Sequence, residues 1–225
     1  MPLIRAVLFD LDMTLIDSSR GVTFCLNRIA DLFGLPPVER DRVLKTIGYP
    51  MEEAMEMLWG SFEHRWIEHY RRNLVPMELE RLVPLPGVVN TLRKLREKEI
   101  AMAVVSNRRR LLSAVSSVGL ECFFSCLVGM DDVVMPKPHP EPVHIALKML
   151  EVAPEMAVFA GDSEVDGRAA TNAGVRFIGL TTGGRSRQDL FSVGACAVVD
   201  DIQKILNPIF EENSKETDLA GRGVL

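Results

Sequence analysis

The chain has few cysteines, no long apolar run and no excess of basic residues. Its four cysteines among 225 residues lack the paired spacing of a zinc site and are too sparse for a disulfide scaffold. The longest apolar stretches have the length of a strand, so no transmembrane span is predicted. A net charge of −5 argues against a nucleic-acid-binding surface. These absences leave a globular protein with one domain, or one domain with an inserted lobe.

The composition is that of a protein with a full core and a polar surface. Hydrophobic residues make up 47% of the chain, while the mean hydropathy is only +0.11. The N-terminus reaches an apolar segment within a few residues, which leaves no room for a signal peptide. We therefore expect a cytoplasmic protein without a membrane partner, present as a monomer or a homodimer.

The order of the apolar segments predicts an α/β fold with a doubly wound parallel sheet. From about residue 101, strand-like runs alternate with helical ones. The predicted strands are 101–106, 125–130, 157–161, 176–180 and 196–199, and the predicted helices are 109–118, 141–150 and 166–173. Alternation on this scale is typical of a parallel sheet with helices on both faces.

A helical insert is predicted between the first strand and the alternating region. Residues 19–34 have apolar side chains at helical spacing and end at a glycine followed shortly by proline. Further helical segments without a convincing strand are 39–46, 51–59 and 61–74. The predicted boundaries are a core domain of residues 1–16 and 85–210, a helical insert of residues 17–84, and a polar tail of residues 211–225 expected to be disordered.

Two carboxylates stand at the end of the first predicted strand. Asp10 and Asp12 directly follow a short apolar run, and no neighbouring residue in the sequence neutralises them. Carboxylates on one face of a strand end repel each other and resist desolvation. A fold tolerates that cost mainly where a metal ion or a reaction requires it, so the pair marks a chemical site.

Three later segments also carry polar side chains at the ends of strands or in a fixed loop. Ser106 and Asn107 end one strand, Asp162 and Asp166 follow another, and Lys137 stands between two prolines that fix its backbone. Open α/β sheets place their sites at the carboxyl ends of the strands. The sequence therefore predicts that these side chains meet.

The acidic segment after the strand 157–161 has a second possible interpretation, a calcium loop. Asp162, Glu164, Asp166 and Gly167 match positions one, three, five and six of an EF-hand. However, Ala173 stands at the twelfth position, which needs a bidentate glutamate, and a strand replaces the preceding helix. The calcium-loop interpretation is therefore rejected.

Taken in order, these segments resemble the four motifs of the haloacid dehalogenase superfamily. The residues Asp10 to Thr14 resemble its D-x-D-x-T motif, and Ser106, Lys137 and the segment Gly161 to Asp166 resemble the second, third and fourth motifs. The helical insert is similar to the C1 cap of the phosphoglycolate phosphatase-like subclass. The resemblance also implies that the strand before Asp10 lies centrally in the sheet.

This resemblance implies Mg²⁺-dependent hydrolysis of a small phosphate monoester through an aspartyl phosphate. Asp10 would be the nucleophile and Asp12 the acid and base. Mg²⁺ would be held by Asp10, Asp162 and the backbone carbonyl of Asp12. Lys137 and Ser106 would stabilise the phosphoryl oxygens, and the cap would exclude water.

The resemblance gives the remaining site residues supporting roles. Asp166 would lie behind the metal ligands and orient water or Lys137. Thr14 would hold Asp12 and its loop or would simply cap the turn. Thr14 and Asn107 would join Ser106 and Lys137 in binding the substrate, a small phosphorylated metabolite. Residues 47–51 resemble the loop that sets substrate specificity in this superfamily.

One residue departs from the resemblance, and one basic segment has two possible interpretations. Met13 occupies a position that is most often glycine in these phosphatases, so its side chain is expected to project toward the cap and narrow the leaving-group pocket. The basic run 108–110 is expected either to be a solvated first helical turn or to supply an arginine that attracts an anionic substrate.

Other activities with similar residues remain possible. A phosphomutase needs a cap that retains a phosphorylated intermediate, and only an analysis of products would distinguish it. A haloacid dehalogenase of the same fold needs no metal, and the carboxylate of Asp12 argues against it. A receiver-like regulatory domain phosphorylated on aspartate is disfavoured, because such modules are shorter and lack a helical insert.

Overall fold

Among the residues that the computed structural model describes, 3–211 and 213, a six-stranded parallel sheet forms the centre of the molecule. The strands are β1 (Ala6–Phe9), β2 (Ile16–Asp17), β3 (Val83–Pro84), β4 (Ala101–Val105), β5 (Cys126–Val128), β6 (Ala157–Gly161), β7 (Arg176–Leu180) and β8 (Ala195–Val199). The sheet order is β5-β4-β1-β6-β7-β8, with every pair parallel. The predicted α/β class is confirmed, and β1 lies centrally as the resemblance implied.

Helices cover both faces of the sheet. The α-helices are α1 (Ser19–Phe33), α2 (Arg40–Leu44), α3 (Met51–Trp59), α4 (His64–His69), α5 (Val75–Leu79), α6 (Val88–Glu97), α7 (Leu111–Ser117), α8 (Glu141–Leu150), α9 (Glu164–Asn172) and α10 (Arg187–Ser192), followed by a helical segment at 206–211. Alternate strand residues enter two separate cores: Phe9 packs with α6 and α7, whereas Leu8 packs with α8, α9 and α10. Because both faces are buried, the strands are continuously apolar.

The helical insert has a hydrophobic cluster of its own. Its helices α1 to α5 bury residues such as Ile29, Met55 and Trp66 against one another. The insert leaves the core through β2 and returns through β3, and these two short strands pair antiparallel. The chain therefore enters and leaves the insert side by side, next to the loop that follows β1.

Several predicted boundaries are wrong, for local reasons. The helix predicted at 109–118 begins at Leu111 because Arg110 has a left-handed backbone with φ 51°. The helix predicted at 166–173 begins at Glu164 because Ser163 and Asp166 form a capping box. The predicted helix 61–74 begins at His64 as α4 and ends in a π-helical segment, Tyr70–Leu74.

Two remaining expectations concern the ends of the chain and membranes. Almost all of the tail at 211–225, which was expected to be disordered, lies outside the described residues. Within the described part of the chain, no helix has both the length and the apolar character needed to cross a bilayer.

Candidate functional site

The predicted site residues gather at the carboxyl ends of three adjacent strands. Asp10 and Asp12 follow β1, Ser106 follows β4, and Asp162 follows β6. Lys137 reaches the same place from the loop before α8. All five residues are buried. Parallel packing of the strands therefore brings together groups that are far apart in the sequence.

Lys137 is the centre of the buried charge network. Its Nζ atom lies 2.7 Å from Asp10 Oδ1 and 2.6 Å from Asp166 Oδ1, and it donates to the carbonyl oxygen of Val105 at 2.8 Å. These contacts use all three ammonium donors. Burial alone would lower the pKa of Lys137, but the two carboxylates outweigh it and raise the pKa. Lys137 is therefore a fixed cation beside Asp10.

Three buried carboxylates form a candidate cation site. One oxygen from each of Asp10, Asp162 and Asp166 lies within 4.8 Å of the others. Burial has the largest effect on Asp10 and raises its pKa. The attraction of Lys137 lowers the pKa, whereas repulsion from Asp166 and Asp12 raises it, and the net result is a pKa raised to about 7. Burial and repulsion from Asp166 and Asp10 raise the pKa of Asp162 well above its usual value. An all-oxygen donor set with excess negative charge suits Mg²⁺.

The hydrogen bonds distinguish the three carboxylates. Asp166 accepts Lys137 on Oδ1 and both the amide and the hydroxyl of Ser163 on Oδ2, so both of its oxygens have protein donors. Asp162 accepts one hydroxyl, that of Thr14, at 3.2 Å. Asp10 and Asp162 are therefore better placed to ligate a cation, and Asp166 to hold Lys137.

Thr14 makes a different contact from the one expected. Its hydroxyl donates to Asp162 Oδ1 rather than holding Asp12, because the loop after β1 turns back toward β6. Thr14 therefore supports the candidate cation site. Its expected contact with substrate stays a prediction.

Asp12 is held by a buried arginine. Arg108 donates from Nε to Asp12 Oδ2 at 3.0 Å and from Nη2 to Oδ1 at 2.6 Å, a bidentate pair. Burial tends to raise the pKa of Asp12, but the charge and hydrogen bonds of Arg108 reverse this and lower it. Arg108 is therefore not part of a solvated helical turn, and Asp12 is ionised in this arrangement.

Asn107 and Ser106 shape the loop next to this pair. The Asn107 side chain accepts from the Lys137 amide at 2.9 Å and donates to the carbonyl oxygens of Lys137 and of Gly48 in the helical insert, at 2.8 Å and 3.0 Å. Asn107 thus joins the lysine loop to the insert, and its expected contact with substrate stays a prediction. Ser106 Oγ accepts from the Arg108 amide at 3.2 Å and lines the adjoining cavity.

Met13 has an unusual backbone at this site. Its φ of 62° lies in the left-handed region, where glycine is favoured and other residues are strained. Its side chain is buried among residues of the insert, such as Leu26 and Met55, as the expected projection toward the cap requires. Met13 therefore links the loop after β1 to the core of the insert.

A cavity of about 390 Å³ lies between the helical insert and the strand ends. Asp10, Asp12 and Ser106 line one end, and apolar side chains from α1, α3 and α5 line the other. The predicted specificity segment 47–51 also contributes to its wall. Glu78 and Tyr70 also belong to the wall, and Glu78 could not be predicted because it carries no motif.

Comparisons with known proteins agree with this geometry. A family model of haloacid dehalogenase-like hydrolases matches residues 7–180. A phosphoglycolate phosphatase from Aquifex aeolicus is 33% identical over 76% of this chain and 82% of its own length. A pyrophosphatase from Oceanobacillus iheyensis is 27% identical over 90% of this chain and 95% of its own.

The solved structures support the fold. A haloacid dehalogenase-like family hydrolase from Streptococcus pneumoniae has a TM-score of 0.79 and 22% identity, covering 91% of this chain and 97% of its own. The family match at 7–180 includes every predicted site residue and the whole helical insert. A receiver-like regulatory domain is therefore excluded. The chain belongs to the haloacid dehalogenase-like hydrolase family, as an enzyme of the phosphatase type.

Proposed function

We propose that this enzyme hydrolyses a small phosphate monoester through an aspartyl phosphate on Asp10, with Mg²⁺ as cofactor. The observation that carries the proposal is the contact of Lys137 with both Asp10 and Asp166 in a buried acidic cluster. A carboxylate next to a fixed ammonium group can approach a phosphoryl dianion that would otherwise repel it. Asp10 is thus the residue best placed to attack phosphorus.

The proposed cation ligands are Asp10, Asp162 and the backbone carbonyl of Asp12. The carboxylates fit a hard cation, because burial and mutual repulsion make them costly to ionise without one. When bound, Mg²⁺ would neutralise these carboxylates and polarise the phosphoryl group. Thr14 would hold the metal ligand Asp162 in place, and Asp166 would hold Lys137 in place.

Asp10 and Asp12 have different chemical roles in the proposed reaction. Asp10 attacks phosphorus in line, so that the P–O bond to the leaving group breaks and an aspartyl phosphate forms. To act as the acid in this step, Asp12 must first take up a proton, which it then gives to the departing oxygen; it later takes a proton from the water that hydrolyses the phosphoenzyme. Arg108 lowers the pKa of Asp12 and so keeps it in the ionised form that the base requires.

The remaining residues bind the transferring group and enclose it. Lys137 stabilises the phosphoryl oxygens by its positive charge, Ser106 donates a hydrogen bond to one of them, and Asn107 holds the loop that carries Lys137. In this proposal residues 1–16 and 85–210 act as the catalytic core, and residues 17–84 act as a cap that excludes water from the cavity.

The relatives suggest which substrates to test first. Those described above are called a phosphoglycolate phosphatase and a pyrophosphatase. We therefore propose 2-phosphoglycolate as the leading candidate and pyrophosphate as the second. Asp12 lines the cavity under the insert, which is where the leaving group would lie.

The test is a phosphate-release assay on the purified protein. We expect turnover of 2-phosphoglycolate, pyrophosphate or p-nitrophenyl phosphate with Mg²⁺, and loss of turnover with EDTA. The variant Asp10→Asn should lower turnover by at least about a thousandfold. Asp200→Asn, which changes an exposed aspartate, is the matched control and should behave as wild type. Undiminished turnover after EDTA treatment, or in Asp10→Asn, would reject the proposal.

A further inference from the structure

Arg108 connects the core of the enzyme to its helical insert. Besides its two bonds to Asp12, the guanidinium group donates from Nη1 to Glu78 Oε1 at 2.5 Å. Glu78 belongs to α5 of the insert, whereas Asp12 and Arg108 follow core strands. One guanidinium group therefore fixes a carboxylate on each side of the cavity.

Asp12, Arg108 and Glu78 form a bridge of ion pairs, and all three side chains are largely buried. The exposed fraction of the side chain is 13% for Arg108, 11% for Asp12 and 3% for Glu78. Charges withdrawn from water in this way are retained in a fold only when they are paired with good geometry. The planar fork of arginine also restricts the carboxylate that it binds to one orientation. Arg108 thus determines where the oxygens of Asp12 point.

Tyr70 anchors the far end of the bridge. Its hydroxyl donates to Glu78 Oε2 at 2.6 Å, so the two oxygens of Glu78 have separate donors, Tyr70 and Arg108. Tyr70 is buried in the hydrophobic cluster of the insert. The carboxylate of Glu78 is therefore fixed by the insert before it meets Arg108.

We propose that Arg108 is a positioning residue for Asp12, and that Glu78 and Tyr70 make this positioning depend on the helical insert lying against the core. This inference rests on the proposed role of Asp12 as acid and base. When the insert moves away, Arg108 keeps its pair with Asp12 but loses Glu78, so the guanidinium group that orients Asp12 is held from one side only. Proton transfer is then efficient only while the insert covers the site.

The proposal predicts which step each variant slows, formation or hydrolysis of the phosphoenzyme. Hydrolysis of the phosphoenzyme needs Asp12 to take a proton from water, whereas its formation from p-nitrophenyl phosphate needs little help for the leaving group. Arg108→Gln and Glu78→Gln should therefore slow hydrolysis of the phosphoenzyme and leave its formation from this ester almost unchanged. A residue with a merely structural role would slow both steps.

The experiment measures the two steps separately by quenched flow with p-nitrophenyl phosphate and Mg²⁺. We expect Arg108→Gln to slow hydrolysis of the phosphoenzyme about 10- to 100-fold, Glu78→Gln about 5- to 20-fold, and Tyr70→Phe a few-fold. Formation should change less than about threefold in each. Glu63→Gln breaks an exposed ion pair with Arg65 in the same insert and is the matched control.

A double-mutant cycle tests whether Arg108 acts through Asp12. In an Asp12→Asn background, adding Arg108→Gln should slow hydrolysis of the phosphoenzyme by less than about twofold, because the group that it positions is gone. If the two losses multiply, or if Arg108→Gln slows formation as much as hydrolysis, the inference is wrong. Should Arg108→Gln fold poorly, Arg108→Lys and Tyr70→Phe carry the same cycle.

Different experimental results would contradict the positioning role of Arg108 and the proposed function. If wild type and Asp12→Asn form no phosphoenzyme at all, the proposed function is wrong. If both form it while the losses from Arg108→Gln and Asp12→Asn multiply, only the inference is wrong.

Discussion

At the scale of single residues, the buried carboxylates work against the stability of the metal-free protein. The pKa of Asp162 is raised in the fold, chiefly by burial and then by Asp166 and Asp10. A folded protein that holds a proton more tightly than the unfolded chain loses stability as the pH rises above the unfolded pKa, about 3.9. The metal-free enzyme is therefore expected to be less stable at neutral pH than in mild acid.

Replacing the carboxylate of Asp162 should remove its destabilising effect on the metal-free protein at neutral pH. We expect Asp162→Asn to raise the melting temperature of the metal-free protein at neutral pH, because a neutral amide replaces a group that resists ionisation. The same variant should lose the stabilisation by Mg²⁺, which for wild type is about 2.7 kcal/mol at 100 times the dissociation constant. Calorimetry with EDTA or with Mg²⁺ measures both effects, and a variant with a lower melting temperature but normal Mg²⁺ stabilisation would refute this assignment.

The charged centre could be predicted from single residues of the sequence, but the hydrogen-bond partners of those residues could not. The strand-end positions of Asp10 and Asp162, together with the proline-flanked loop of Lys137, were enough to predict that these residues meet. The partner of Thr14 was predicted wrongly, because the direction of a loop hydroxyl depends on the path of the loop. The burial of Arg108 was not predicted either, since a run of three arginines has the same pattern whether it is solvated or paired.

At the scale of elements, continuous apolar strands were the easiest feature to predict. The segments 157–161 and 176–180 agree with β6 and β7 because strands buried on both faces have no polar interruptions. Helix α10 was missed although Ser186 and Asp189 form a capping box that the sequence displays. The pair β2 and β3 was missed because two-residue strands carry no periodic pattern.

The loop between β1 and β2 gives a test at this scale. Met13→Gly should relieve the left-handed backbone strain, worth about 1–2 kcal/mol, but it deletes a buried side chain, which costs about 2–5 kcal/mol. We therefore expect a net loss of about 1–3 kcal/mol in the free energy of unfolding. Denaturant titration measures it, with Met13→Leu as the control that keeps the burial. A variant as stable as wild type, or more stable, would contradict this expectation, because relief of strain would then offset the lost burial.

At the scale of the whole molecule, the cavity beside the charged core residues lies where the insert meets the core. The order of motifs in the sequence predicted both parts, because each part has its own periodicity. Their contacts could not be predicted: Asn107 bonds Gly48 and Arg108 bonds Glu78 across gaps of 59 and 30 residues, and such pairs have no local signature. The docking of the insert is thus the main feature that the sequence left open.

The central claim is that Asp10 becomes phosphorylated during turnover. The most direct measurement is mass spectrometry of the acid-quenched Asp12→Asn variant after mixing with p-nitrophenyl phosphate and Mg²⁺. Because this variant forms the phosphoenzyme faster than it hydrolyses it, we predict a mass increase of one phosphoryl group, located on the peptide that contains Asp10 and absent with EDTA. If Asp12→Asn instead turns over at the wild-type rate, or shows no phosphorylated peptide while it releases phosphate, the account is contradicted.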